Sequence, residues 1–154
     1  MKFMHSIQID IDGEPDRVTA QEKGETVESY YKNGVLRHRV KHYEKPQVTA
    51  AKNKLAYSIK RYRPEQPISG PIAVHIAWYF PTDKKKDYYQ PKLTKPDVDN
   101  MAKGCLDVMT QMRFWNDDNQ VCKLTLMKFW APREEAGTEI TIYYDPIEED
   151  ENNE

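Results

Sequence analysis

The chain has 154 residues, enough for one domain with its own core and too few for two independent ones. Hydrophobic residues make up 38% and aromatic residues 11%, which excludes a chain that stays unfolded for want of apolar groups. The net charge of −2 is unevenly placed: residues 145–154 carry six acidic side chains and no basic one, leaving 23 basic against 19 acidic residues before them, a body of +4. We therefore expect a single domain over residues 1–144 and an acidic, disordered tail over 145–154. No apolar run reaches membrane-spanning length, and the first residues lack the apolar core of an export signal, so the expectation is a soluble cytoplasmic protein with no membrane contact.

Residues 6–12 (SIQIDID) alternate apolar and polar side chains and predict a strand with one buried face. Residues 13–29, rich in Glu, Asp, Lys, Gly and Thr, read as loop. Asn33-Gly34 is a hairpin signal, because both residues tolerate positive φ, and residues 35–40 follow as a strand. Residues 48–62 have a helical composition with a basic polar face, and Pro64, Pro67, Gly70 and Pro71 end it. Residues 72–80 (IAVHIAWYF) predict a buried strand, and residues 81–96 a basic loop. The strongest helix is 97–112, where Val98, Met101, Ala102, Cys105, Met109 and Met112 form one apolar stripe. Strands at 121–130 and 138–144 complete an order of β, hairpin, α, β, α, β, β. The fold class this predicts is α+β, a mixed β-sheet with two main helices packed on it.

Cys105 and Cys122 lack metal-type spacing and read as reduced core residues. His38 and His42 have the i,i+4 spacing of a helical metal pair, but no third ligand is evident, so histidines that are exposed or face a polyanionic partner are the preferred reading. Trp115 and Trp130 read as core. In 81–96 the lysines Lys84, Lys85, Lys86, Lys92 and Lys95, with Tyr88 and Tyr89 among them, form the expected phosphate-contacting surface; a solvated loop is the plainer alternative.

Asp97 and Asp99 stand at the start of the main helix, and Asp99, Lys103 and Asp107 share its polar face. Asp117 and Asp118 lie in the turn before the next strand. If helix start and strand start meet at one sheet edge, these carboxylates repel unless a cation holds them, and oxygen ligands suit Mg²⁺ or Mn²⁺. Such an ion near a phosphodiester activates water, and Lys103 would neutralise a phosphate oxygen. By spacing alone, an N-cap, a helix-dipole partner and turn residues are the commoner explanation.

Lys95 to Val121, KPDVDNMAKGCLDVMTQMRFWNDDNQV, resembles the signature of the RusA family of Holliday junction resolvases. The pattern is met by Asp97, Asp99, Asn100, Lys103, Leu106, Asp107, Trp115, Asp117, Asp118, Gln120 and Val121. Phe129-Trp130 and the run from Thr19 to Lys23 are similar to phage-borne members. The resemblance implies a homodimeric, Mg²⁺- or Mn²⁺-dependent endodeoxyribonuclease that binds four-way junction DNA and makes paired nicks. It implies Asp97, Asp99 and Asp118 as metal carboxylates, Asp117 as their neighbour and Lys103 as the catalytic lysine. Some members carry an arginine before the first Asp, where this chain has Pro96. Two other classes stay open: a metal-dependent nuclease for flaps or other branched DNA, and a non-catalytic DNA-binding module.

Overall fold

The computed structural model describes residues 2–19 and 23–145; the tail expected over 145–154 lies outside the described residues apart from Asp145. Six strands and two helices follow one another as β1 (His5–Asp12), β2 (Lys23–Lys32), β3 (Val35–Glu44), α1 (Pro46–Ile59), β4 (Ile72–Thr82), α2 (Val98–Gln111), β5 (Val121–Pro132) and β6 (Gly137–Tyr144). Four strands form one mixed sheet in the order β1-β6-β4-β5. β6 runs antiparallel to both neighbours, whereas β4 and β5 are parallel and joined through α2. The predicted α+β class and element order hold.

β4 is central, and its residues Ile72, Val74, Ile76, Trp78 and Phe80 alternate onto one face. That face packs on Met101, Ala102, Cys105, Val108 and Met109 of α2, on Ile59 of α1, and on Ile9, Ile140 and Ile142 of the flanking strands. At roughly 25 cal/mol per Å² of apolar surface removed from water, this continuous cluster is the main favourable term in folding. Trp115 is fully buried and its indole N–H donates to Thr110 Oγ1 at 2.8 Å, while Trp130 is partly buried against the core. Cys105 lies in the core, where burial pushes its thiol up to about 12. Cys122 differs from the core residue expected: it is exposed at the start of β5 and its thiol reaches Ile72 O at 3.3 Å.

The remaining two strands, β2 and β3, pair only with each other and form a separate ribbon. The Asn33-Gly34 turn is as predicted, with φ of 52° and 76°, the left-handed pair that joins strands in two residues. β2 corrects the loop reading for residues 23–29, while residues 13–19 are loop as expected. Gly24 lies under the Tyr43 ring, and a Cβ there would sit 2.1 Å from it, so a larger residue would have to push that ring aside. His38 and His42 lie on β3, where four residues span about 13 Å, so they are no helical metal pair. His38 bonds Ser29 Oγ at 2.8 Å and His42 faces Glu25.

Candidate active site

The segment that delivers Asp97 to α2 is held by backbone and by two lysines. Tyr89 N–H donates to Trp130 O, Trp130 N–H to Gln90 O, and Lys92 N–H to Lys128 O, laying residues 89–92 along the outer edge of β5. Lys128 Nζ then donates to Thr94 O at 2.5 Å and Pro96 O at 2.8 Å. Lys92 Nζ donates to Thr94 O at 3.1 Å, to Thr94 Oγ1 at 2.5 Å and to Lys95 O. Its charge lies 5.0 Å from the Phe80 ring centre and 4.7 Å from that of Trp130. Lys92 is only 1% exposed, and burial lowers its pKa. Lys92 thus departs from the exposed lysine expected: it is buried, and its ammonium donates to two protein carbonyls and a hydroxyl. Lys84, Lys85, Lys86 and Lys95 are exposed, as a phosphate-facing role requires.

Asp97 is the N-cap residue of α2, with extended backbone, yet its side chain makes no capping hydrogen bond. Asp99, in the first turn, is exposed, and Asn100 beside it has a buried Oδ1 with no hydrogen-bond partner. Lys103, one turn on, is exposed and forms no salt bridge with any described residue.

Asp117 and Asp118 belong to a different locality. Asp117 caps a single 3-10 turn at Asp118–Gln120, its Oδ1 accepting from Asn119 N–H at 3.0 Å. Gln120 fixes that turn: its Oε1 accepts from the N–H groups of Asn116 and Asp117, and its Nε2 donates to Ile68 O and Gly70 O at 2.9 Å. Asn119's N–H holds the Asp117 carboxyl below the ordinary carboxylate range. The Asp118 carboxyl is pushed up, first by its hydrogen bond with Asp117, then by burial and by the charges of Asp117 and Asp107.

The carboxylates thus lie toward opposite ends of α2. Asp118 feels Asp107, which is two turns past Asp99, or about 12 Å along the axis at 1.5 Å per residue. Pro96, next to Asp97, is tied to Lys128, seven strand residues beyond Val121, or about 23 Å at 3.3 Å each. Among the described residues no three His, Cys, Asp or Glu side chains converge closely enough to hold a metal ion. Within one chain the Asp97–Asp99 pair is thus set apart from the Asp117–Asp118 pair. The helix and strand starts sit at different ends of the β4-α2-β5 unit because a parallel crossover runs its helix back along the sheet.

Lys103 and Asp107 line a cleft with Lys52 of α1 and with Lys23, His42, Tyr43 and Glu44 at the ribbon's base. Lys52 Nζ bridges Glu44 at 2.7 Å and Asp107 at 3.8 Å. Nothing in the sequence around Lys52 and Glu44 marks them, since only the fold brings them to α2. A separate cavity of about 170 Å³, bordered by Ile11, Val48, Leu55, Trp78 and Met101, holds none of the predicted site residues.

Residues 25–143, which take in most of the ribbon and cleft and both pairs of carboxylates, match the family model described as Endodeoxyribonuclease RusA. The chain belongs to the RusA family. Two relatives are similar to it. The uncharacterised protein YqaN of Bacillus subtilis (strain 168) is 32% identical over 131 residues, covering 77% of this chain and 90% of that protein. The crossover junction endodeoxyribonuclease RusA of Lactococcus phage r1t is 31% identical over 71 residues, covering 46% of this chain and 54% of the phage protein. As a RusA-family chain it is a hydrolase of the nuclease class. No helix among the described residues is long and apolar enough to cross a membrane.

Proposed function

We propose that this RusA-family protein is a structure-specific endodeoxyribonuclease that resolves four-way DNA junctions by paired nicks, acting as a cytoplasmic homodimer with Mg²⁺ or Mn²⁺. The observation that carries this reading is Asp97, which occupies the N-cap of α2 and caps nothing. A capping bond stabilises a helix by about 1 kcal/mol, so a free carboxylate there, beside the exposed Asp99, is better explained by a ligand than by helix stability. Mg²⁺ is commonly bound by one or two carboxylates with substrate phosphates completing its shell, which suits each acidic pair. Lys103 would hold a phosphate oxygen, and Asp118 would be the third essential carboxylate. The phage relative's name supports the junction as substrate. A junction has near two-fold symmetry, and a two-fold dimer offers two equivalent sites.

The test is cleavage of synthetic four-way junctions, flaps and linear duplexes with and without Mg²⁺. Symmetric nicks in the junction are expected, with at least a hundredfold loss for Asp97→Asn and retained junction binding. Faster cutting of flaps, or normal cutting by Asp97→Asn, would overturn the assignment.

A further inference from the structure

The β2–β3 ribbon has two chemically distinct faces, and its register assigns every side chain to one of them. Val27 opposes Val40, Ser29 opposes His38 and Tyr31 opposes Leu36 on one face. On the other, Thr26 opposes Lys41, Glu28 opposes Arg39, Tyr30 opposes Arg37 and Lys32 opposes Val35. Of the ribbon's five lysines and arginines, four (Lys32, Arg37, Arg39, Lys41) therefore project from this second face. Its single carboxylate, Glu28, is taken up by Arg39 at 2.9 Å, and the same guanidinium lies 5.0 Å from the Tyr30 ring centre. Lys32, Arg37 and Lys41 form no salt bridge among the described residues.

Solubility alone does not ask for this arrangement. Both faces of the ribbon are exposed, and charges of either sign on either face would keep it in water. Arg37, Arg39 and Lys41 occupy successive same-face positions about 7 Å apart along β3, where their like charges repel. The cost is recovered when an anion of matching extent lies along them. From Val35 to Lys41 the strip runs about 20 Å. A two-stranded ribbon is also of a width that a DNA major groove admits. The ribbon's base, at Lys23, His42, Tyr43 and Glu44, borders the cleft that contains Lys103 and Asp107. Of these base residues Tyr43 shares the basic face by register, while Lys23, His42 and Glu44 lie on the other.

We infer that the basic face of the β2–β3 ribbon is a DNA-gripping arm, contacting the phosphate backbone of a duplex arm through Lys32, Arg37 and Lys41, with Arg39 held by Glu28 and Tyr30. The choice of DNA as the polyanion rests on the nuclease reading above; the surface itself rests on register and charge.

The test is fluorescence-anisotropy binding of a labelled four-way junction in EDTA across a salt series, which needs no cleavage. Removing one cation from a phosphate should flatten the slope of log K against log salt by about 0.9. Lys32→Ala/Arg37→Ala/Lys41→Ala should flatten it by two to three and weaken binding at least tenfold. Lys32→Arg/Arg37→Lys/Lys41→Arg should keep the slope, and Val40→Thr on the opposite face should leave it unchanged. An unaltered slope in the triple alanine variant, or equal flattening by Val40→Thr, overturns the arm. So does wild-type protein that binds no DNA. A flattened slope in protein whose wild type cuts no junction would keep the arm and remove the resolvase assignment.

Discussion

Lys92 shows how little the identity of a side chain fixes its task. In a run with Lys84, Lys85, Lys86 and Lys95 it reads as one more solvated cation, yet it alone turns inward, between Phe80 and Trp130. Sequence cannot say which lysine of a run does so, because that depends on residues 89–92 pairing with β5. For the aspartates the family resemblance marked Asp97, Asp99 and Asp118 as candidates where spacing alone read as caps and turns, and their separation along α2 was not legible. Lys92→Met keeps the stem's packing and removes three donations to Thr94 and Lys95. Thr94 O keeps its bond from Lys128, but losing the Lys92 donations to Thr94 Oγ1 and Lys95 O should cost about 2 kcal/mol in urea unfolding. It should also slow cleavage by loosening the backbone before Asp97, and leave the salt dependence of DNA binding unchanged. A flattened salt slope would instead make Lys92 a phosphate ligand.

Among the elements, the helices and the strands of the main sheet were readable because each buries one face and so carries a period. β2 was not: KGETVESYYK is almost wholly exposed, and no alternation of burial marks it. Only its partner across Asn33-Gly34 makes it a strand. Such a ribbon is marginal by itself in water, so its anchorage decides its order. Glu44, at its base, accepts from Lys52 Nζ and from Thr49 Oγ1 at 2.7 Å, and Lys52's donation is the first cause holding its carboxyl below the usual 4.5. A carboxyl depressed by folding stabilises above its unfolded value and loses that contribution as pH falls through the folded one. The ribbon base should therefore loosen modestly below pH ~4.5, seen as shifts of the Gly24 and Tyr43 amide resonances. Glu44→Gln should loosen it at neutral pH and abolish the acid dependence; an acid transition persisting in that variant would assign it to another group.

For the molecule as a whole, the separation of the acidic pairs along α2 bears on the proposed homodimer. Two chains related by a two-fold axis, with their α2 helices antiparallel, would bring the Asp97 end of one to the Asp118 end of the other. Asp97→Asn and Asp118→Asn, each inactive alone, should then regain about a quarter of wild-type nicking when co-expressed and mixed in equal amounts. Half the dimers are mixed, each with one intact site of two. No recovery in purified mixed dimers would confine each site to one chain. Another consequence belongs to residues 89–92, which hold Asp97 in place and also cover the outer edge of β5. An uncovered edge strand is a template for pairing with other molecules. Loss of catalysis through fraying of this segment should thus coincide with precipitation, so that quality control in a cell would remove the same variants that fail at the DNA.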